Sequence, residues 1–423
     1  MNIIVEKSKC EGRVRVPYSK SYLHRAIIAA SLSNGESVIN NVTLSKDIEA
    51  TIEAFRKLGA TITLKDNSLI IKGIKDFNSV LSMSINCNES GSTLRFLIPI
   101  LSLFPYSFTL EGTGSLFSRP LDIYQKIYKE QELKFELFEE HLNVEGKLKP
   151  GEYVIKGDVS SQFISGLLFA LPLLENDSII HIVKPFESES YVNMTISILS
   201  DFGIKIIRKS RYEFYIEGNQ KYKPSIYTVE RDYSQAAFYM VLGAINNDIL
   251  LEDMNLNSLQ GDNIIIDILR SFNVQVDVNG NDILIHKCNN LEGNVVNLSD
   301  CPDLGPICMV LSLFSKTPVR ITNIQRLKIK ESNRVDSMVN NLRKLNAKID
   351  VKEDELIIYP SKLKATKEVL NSYNDHRIMM SLVVLATCIR GYTLIDNPGC
   401  VKKSYPDFYR DLQKLGINLG LHD

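Results

Sequence analysis

A pattern of about 72 residues recurs six times along this chain of 423 residues, and it restricts the possible folds strongly. The copies begin near Asp47, Asp122, Val192, Asp262, Val335 and Asp407. In the clearest copy, residues 47–73, apolar side chains follow helical spacing up to Gly59, and two short alternating stretches come after it. The helix-ending position is taken by Gly203, Asn273, Asn346 and Gly416 in four other copies, and by Glu132 in the weakest. Each copy therefore predicts a helix followed by a β-hairpin.

The stretches between these copies also resemble one another. Each predicts a short strand, a polar turn, a strongly apolar helix and a further strand, so the full unit is βαβαββ. The apolar helices are predicted at residues 22–31, 93–103, 163–171, 236–244, 307–314 and 378–387. They are apolar nearly all round, which predicts burial between sheets with the charged helices outside.

The two ends of the chain are expected to complete each other. The sixth copy offers only one plausible hairpin strand, residues 417–419, and the chain starts with an isolated strand at residues 3–6. If these pair, the α/β protein has two similar domains of three units each. The predicted domains are residues 14–223, and residues 1–13 with 224–423, with crossings near Gly12 and Pro224. A single large α/β domain is the alternative.

Composition argues against several classes of protein. A net charge of −1 disfavours nucleic-acid binding, and no apolar run is long enough for a signal peptide or membrane span. Seven cysteines without C-x-x-C spacing and only six histidines favour neither a disulfide framework nor a zinc site. Phosphate-loop, dinucleotide and metal-loop motifs are missing. We therefore expect a cytoplasmic monomer with no metal, no cofactor, no nucleic-acid partner and no membrane partner.

The turns that precede the six apolar helices are the first candidates for function. They occupy residues 17–21, 89–93, 158–162, 230–234, 300–303 and 374–377. Free N–H groups and partial positive charge at these helix starts favour anions, although helix capping alone explains most single residues. Lys20 and Arg377 fit capping poorly, because a cation in the first turn opposes the helix dipole and needs an anionic partner.

The loops before the outer helices are the second set of candidates. They lie at residues 118–120, 188–191, 328–334 and 401–404, and their cations outnumber their acids. Solvated surface loops are the alternative for each one singly. Recurrence at matching places in the unit favours a compact binding site for small anions.

Five motifs in order identify the chain as similar to the enolpyruvyl transferase family, and within it to members that act on shikimate 3-phosphate. These motifs are Ser19 to Arg25, Ser160 to Phe163, Lys330 to Arg334, Asn374 to Arg377 and Lys403 to Asp407. The resemblance implies an inside-out α/β barrel in two domains that close on substrate. It also implies transfer of the enolpyruvyl group of phosphoenolpyruvate to the shikimate 5-hydroxyl, with release of phosphate.

The resemblance also assigns roles to residues. The implied phosphoenolpyruvate contacts are Lys20, Gly91, Arg119, Gln162, Arg334, Arg377 and Lys403. The implied shikimate 3-phosphate contacts are Lys20, Ser21, Arg25, Ser160, Ser161, Gln162, Ser188, Tyr191, Asp303, Arg326 and Lys330. Asp303 and Glu331 are the implied base and acid of catalysis. Lys20 could share the acid role, and the sequence leaves that choice open.

Two departures from the family pattern and one rival bear on this interpretation. The common G-N-A-G-T-A-x-R stretch reads N-E-S-G-S-T-L-R over residues 88–95, and Arg326 stands where an Asn is usual. The rival is the family's UDP-N-acetylglucosamine enolpyruvyl transferase, which carries a Cys in the loop matching residues 112–120; this chain has none there. A non-catalytic phospho-ligand-binding protein on the same scaffold is a further alternative.

Overall fold

The computed structural model describes residues 1–77 and 80–422 of the chain. The chain forms two compact units, residues 18–230, and residues 1–17 together with 231–423. We call them the inserted unit and the terminal unit.

Twelve α-helices lie in the described residues. They are α1 (Lys20–Leu32), α2 (Lys46–Lys57), α3 (Gly91–Leu101), α4 (Asp122–Glu130), α5 (Ser161–Ala170), α6 (Glu189–Asp201), α7 (Tyr233–Ile245), α8 (Ile265–Ser271), α9 (Gly305–Ser312), α10 (Arg334–Lys344), α11 (His376–Ala386) and α12 (Phe408–Lys414). The first six belong to the inserted unit and the last six to the terminal unit.

The strands of the described residues are short. They are β1 (Asn2–Glu6), β2 (Gly12–Val14), β3 (Glu36–Asn40), β4 (Thr61–Lys65), β5 (Ser68–Lys72), β6 (Met83–Asn86), β7 (Ser107–Glu111), β8 (Lys134–Leu137), β9 (His141–Glu145), β10 (Glu152–Lys156), β11 (Ser178–Val183), β12 (Ile206–Ser210), β13 (Glu213–Ile216), β14 (Ile226–Thr228), β15 (Ile249–Leu251), β16 (Val276–Asn279), β17 (Asp282–Ile285), β18 (Val295–Asn297), β19 (Val319–Thr322), β20 (Lys348–Val351), β21 (Glu355–Tyr359), β22 (Tyr392–Asp396) and β23 (Leu419–His422).

The inserted unit contains three four-stranded sheets of the same design. Their strand orders are β14-β3-β5-β4, β6-β7-β9-β8 and β10-β11-β13-β12. In each sheet the first strand pairs parallel with the second, and the hairpin adds two antiparallel strands. The second and third sheets are continuous βαβαββ units. The first sheet takes its edge strand, β14, from the far end of the unit.

The terminal unit repeats this design with one change. Two of its sheets, β16-β17-β15-β2 and β18-β19-β21-β20, have the same order and the same parallel edge. The third sheet, β22-β1-β23, has β1 antiparallel to both neighbours. An isolated parallel bridge between Leu370 and Ile395 stands where the other sheets have an edge strand. The α/β repeat predicted from the sequence is thus confirmed.

The apolar helices form the cores of both units, as predicted. Every residue of α7 and of α11 is buried, and so is every residue of α1 from Tyr22 onward. The outer helices are amphipathic: α2 carries Asp47 and Glu49 in its first turn and Arg56 and Lys57 in its last turn, charges that complement the helix dipole.

Residues in the left-handed conformation end the outer helices. The predicted positions all have positive φ: Gly59, Gly203, Asn273, Asn346 and Gly416. Glu132, the residue of the weakest copy, adopts the same conformation with φ 59°. The turn geometry therefore persists in this copy even though glutamate lacks the conformational freedom of glycine.

Strand pairing moves the predicted domain boundaries. The predicted pairing of the two chain ends is confirmed, since β1 pairs with β23, although the last strand begins at Leu419 rather than at residue 417. The predicted boundary near Pro224 is too early, because β14 pairs with β3 of the inserted unit. The boundary near Gly12 is also too early, because β2 pairs with β15 and holds the chain in the terminal unit as far as Pro17.

One surface histidine of the terminal unit lies between two carboxylates, and we predict that it makes stability depend on pH. His286 contacts Asp277 at 2.7 Å and Asp248 at 3.0 Å. The hydrogen bond to Asp277 raises the pKa of His286. Its stabilisation should be complete below the pKa of an unfolded histidine, about 6.5, and be lost as the pH rises through the higher folded value.

The measurement compares the urea midpoint of the wild type with that of His286→Gln at low and at high pH. We expect the difference to be larger on the acid side of the window and small throughout, because solvent screens exposed pairs. His181→Gln is the matched control, since its carboxylates lie further away, at 3.4 and 3.8 Å. An equal difference at both pH values would refute the prediction.

Candidate active site

In the inserted unit, the first turn of α1 places a lysine beside an acid. Ser19 caps this helix, and Lys20 is its first residue. The Lys20 ammonium contacts Asp47 of α2 at 2.6 Å. The anionic partner that the sequence requires for Lys20 is therefore supplied within the chain in this structure.

Arg25 is a buried cation on the same helix. Its guanidinium donates to Thr195 Oγ1 at 2.7 Å, to the Ser21 carbonyl at 2.8 Å and to the Tyr191 carbonyl at 3.2 Å. Burial lowers its pKa to about 10. These contacts bring together three residues that the sequence assigned to the acceptor substrate: Ser21, Arg25 and Tyr191.

The start of α3 lies beneath two arginines. A Cβ atom on Gly91 would lie 3.0 Å from Arg119 Nη1 and 3.4 Å from Arg95 Nη1. Arg95 also donates to Gln162 Oε1 at 2.8 Å, and Gln162 donates to Ser92 Oγ at 2.8 Å. Glycine is thus the residue that lets both guanidinium groups approach this helix N-terminus closely.

Three serines assigned to the acceptor substrate stand at helix starts. Ser160 caps α5 through Gln162 N–H, and Ser161 is the first residue of that helix. Ser188 precedes α6 in the left-handed conformation, with φ 50°. The turn before α5 therefore carries two of the serines, and the loop before α6 carries the third.

In the terminal unit, Asp303 is surrounded by cations. Its carboxylate contacts Arg334 at 2.9 Å, Arg377 at 3.0 Å and Lys330 at 3.3 Å. Burial alone would raise the pKa of this carboxyl. The three cations outweigh burial and hold that pKa well below its usual range.

Arg334 is the centre of this cluster. Its side chain is 1% exposed, and it contacts Glu331 at 2.6 Å and Asp375 at 2.8 Å in addition to Asp303. Burial would lower the pKa of Arg334, but these three acids raise it. The guanidinium fork therefore sets the positions of both predicted acid-base residues, Asp303 and Glu331.

The turn before α11 joins the cluster to the helix start. Asp375 accepts from the Arg377 N–H at 2.9 Å, so one buried carboxylate caps the helix and also binds Arg334. Arg377 also donates to Ser234 Oγ at 3.0 Å. Lys403 donates to the Asn374 carbonyl at 2.6 Å. The cations predicted at residues 377 and 403 are thus held by the same turn.

Two further cations lie in the loop before α10. Burial lowers the pKa of Lys330, and Arg326 and Arg334 lower it further. Arg326 is buried and donates to the Ser299 carbonyl at 3.3 Å. Lys330 therefore combines contact with Asp303 and an ammonium that loses its proton more easily than a surface lysine.

The sequence assigns no individual site role to three residues of these clusters. Asp47 marks the start of a repeat, and nothing in its spacing indicates a contact with Lys20. Arg95 lies on a helix that is otherwise apolar, which is a detectable signal, because an arginine there needs a buried partner. Asp375 lies in the motif Asn374 to Arg377. Helix capping alone explains an aspartate at this position, so the sequence does not indicate its contact with Arg334.

The structure adds three observations on other classes of site. Within residues 1–77 and 80–422, no three His, Cys, Asp or Glu side chains are grouped so that they could hold a metal ion. No helix of that part of the chain is both long and apolar enough to cross a membrane. All seven cysteines are free thiols.

The fold is shared with solved enolpyruvyl transferases. An EPSP synthase from Acinetobacter baumannii has the same fold, with a TM-score of 0.81, 23% identity and full coverage of both chains. An enolpyruvyl transferase from Streptomyces tendae shares it with a TM-score of 0.78 and 16% identity, over 99% of this chain and 98% of the other.

Sequence comparison identifies the family. The model of EPSP synthase (3-phosphoshikimate 1-carboxyvinyltransferase) matches residues 4–412, and the chain belongs to this family. A 3-phosphoshikimate 1-carboxyvinyltransferase of Clostridium perfringens is 45% identical over 98% of both chains. One of Clostridioides difficile is 44% identical over 97% of this chain and 96% of its own.

Proposed function

We propose that the protein transfers the enolpyruvyl group of phosphoenolpyruvate to the 5-hydroxyl of shikimate 3-phosphate and releases phosphate. This reaction belongs to the shikimate pathway, which leads to chorismate and the aromatic amino acids. The observation that carries the proposal is the cluster of Asp303 and Glu331 with Arg334, in a chain of the EPSP synthase family. The UDP-sugar alternative is disfavoured, because residues 112–120 contain no cysteine.

We assign phosphoenolpyruvate to the cations at the helix starts. The proposed contacts are Lys20, Gly91, Arg119, Gln162, Arg334, Arg377 and Lys403. Support comes from the helix start at Gly91, which Arg119 approaches, and from the turn that holds Arg377 and Lys403. A phosphate and a carboxylate on one small molecule need several such donors.

We assign shikimate 3-phosphate to the serines and to a second group of cations. The proposed contacts are Lys20, Ser21, Arg25, Ser160, Ser161, Gln162, Ser188, Tyr191, Asp303, Arg326 and Lys330. Hydroxyl groups at the starts of α5 and α6 are suited to phosphate oxygens, because the helix dipoles favour the same negative charge.

The proposed chemistry is addition followed by elimination. Asp303 accepts the proton of the 5-hydroxyl, the oxygen bonds to C2 of the enol, and C3 receives a proton from Glu331 or Lys20. The tetrahedral intermediate then loses a C3 proton as phosphate leaves C2, which restores the double bond. Asp303 is ionised but only weakly basic beside its three cations. Substrate anions that share those cations would strengthen it.

The site is proposed to work without a metal, in a monomeric cytoplasmic protein. The free thiols fit a reducing compartment. Light scattering of the purified protein tests the monomeric state.

Release of inorganic phosphate tests the activity directly. We expect phosphate from phosphoenolpyruvate with shikimate 3-phosphate present, at a rate unchanged by a metal chelator. The matched reaction contains UDP-N-acetylglucosamine in its place and should give no release. Phosphate release with UDP-N-acetylglucosamine but not with shikimate 3-phosphate would support the rival activity. If phosphate is released with neither of the two acceptors, the result would support a non-catalytic binding protein.

A further inference from the structure

A glutamate lies beside the cations of the proposed donor site in the inserted unit. Glu89 comes immediately before Ser90, the residue that caps α3. Its carboxylate lies against the loop of residues 112–118. A Cβ atom on Gly114 would lie 2.0 Å from Glu89 Oε1, 2.7 Å from its Cδ and 3.2 Å from its Cγ. Gly114 has φ +62°, so both its backbone conformation and the available space require glycine.

Arg119 reaches the same loop and the same helix start. Its Nη2 lies 3.4 Å from Ser115 Oγ, next in sequence to the glycine that Glu89 contacts. Its Nη1 lies 3.0 Å from the Cβ position of Gly91, two residues after Glu89. The carboxylate of Glu89 and the guanidinium of Arg119 therefore approach one short stretch of backbone.

The placement gives Glu89 an electrostatic role that a neutral side chain would lack. The family pattern that the sequence resembles has an asparagine at this position, which is one methylene shorter and carries no charge. A carboxylate just before α3 is stabilised by the helix N-terminus. The negative charge of Glu89 therefore offsets part of the positive potential that the N-terminus of α3 and Arg119 present to an anionic ligand.

We propose that Glu89 is a specificity-determining residue of the donor site. The Glu89 carboxylate lowers the affinity of the donor site for multiply charged anions. The decrease in affinity is greatest for the ligand with the greatest negative charge. The inference rests on the proposed function for the identity of the donor. Its electrostatic part applies to any phosphate bound at the start of α3.

The test removes the charge of Glu89 and retains its shape. We expect Glu89→Gln to lower the KM for phosphoenolpyruvate and the dissociation constant of inorganic phosphate by about 3- to 10-fold at low ionic strength. The effect should shrink toward none at high salt, since partly exposed charges are screened. Glu89→Asp retains the charge and should keep wild-type values.

Glu145→Gln is the matched control. It removes an exposed carboxylate from β9, in the sheet β6-β7-β9-β8 whose strand β6 precedes α3. It should leave both constants and their salt dependence unchanged. The inference would be overturned if the KM for phosphoenolpyruvate and the dissociation constant of phosphate in Glu89→Gln equal or exceed those of the wild type. A decrease in these constants that does not depend on salt would also overturn it.

Phosphate binding, measured by calorimetry, separates this inference from the proposed function. If no acceptor supports turnover, the proposed function fails, but tighter binding of phosphate to Glu89→Gln would still support the electrostatic role. If turnover is normal and phosphate binds both proteins equally, the electrostatic role fails and the proposed function remains.

Discussion

Glu331→Gln and Asp303→Asn should each lower kcat by about 10²- to 10⁴-fold, which is the usual contribution of one acid-base group. Both amides keep the approximate shape of the acid. The amide oxygen introduced by Glu331→Gln can still accept a hydrogen bond from Arg334, which holds the native carboxylate at 2.6 Å. The amides cannot transfer the proton, so the chemical step should fall far more than substrate affinity.

Steady-state kinetics with both substrates varied measure this effect. Glu368→Gln is the control, because Glu368 is an exposed acid of the same unit that pairs with Lys344 at 3.1 Å. It should retain wild-type kcat. A wild-type kcat in either active-site variant would show that the acid-base role of that residue is wrong. A rise in KM without a fall in kcat would instead assign it to binding.

The arrangement of the fold could be predicted because it depends on local patterns that repeat. Helical spacing located the buried helices, and the glycine or asparagine after each outer helix located the turns. The domain boundaries in the structure differ from the predicted ones for a physical reason. The edge strands β2 and β14 are only three residues long, and their sheet is decided by partners far along the chain.

The candidate site could be predicted by residue type and only partly by contact. The argument from the helix dipole correctly required an anionic partner for Lys20 and for Arg377. It did not predict that Asp47 and Asp303 would be those partners. Such ion pairs join different helices and turns, and no spacing in the sequence marks them.

Arg334→Ala should cause the largest loss of stability, about 3 to 5 kcal/mol, because it leaves buried acids without their cation. Asp375 is fully buried, and Arg334 Nε lies 2.8 Å from it. Asp303 and Glu331 lose the same guanidinium. Arg334→Lys should recover part of the loss, since one ammonium keeps the charge but lacks the planar fork that three carboxylates share.

The stability of Arg334→Ala is measured by urea unfolding followed by far-UV circular dichroism, because the chain contains no tryptophan. Arg343→Ala is the control on the same helix, where Arg343 donates to the Ile349 carbonyl at 3.0 Å, and it should cost about 1 kcal/mol. Adding Asp375→Asn to Arg334→Ala should restore part of the stability, since asparagine still caps α11 and no longer buries a charge. If the double variant were less stable than Arg334→Ala, the buried pair would not be the source of the loss. If the double variant recovers stability without activity, the two roles of Arg334 are separable. One role is to stabilise the terminal unit by its charge, and the other is to orient Asp303 and Glu331 for the reaction.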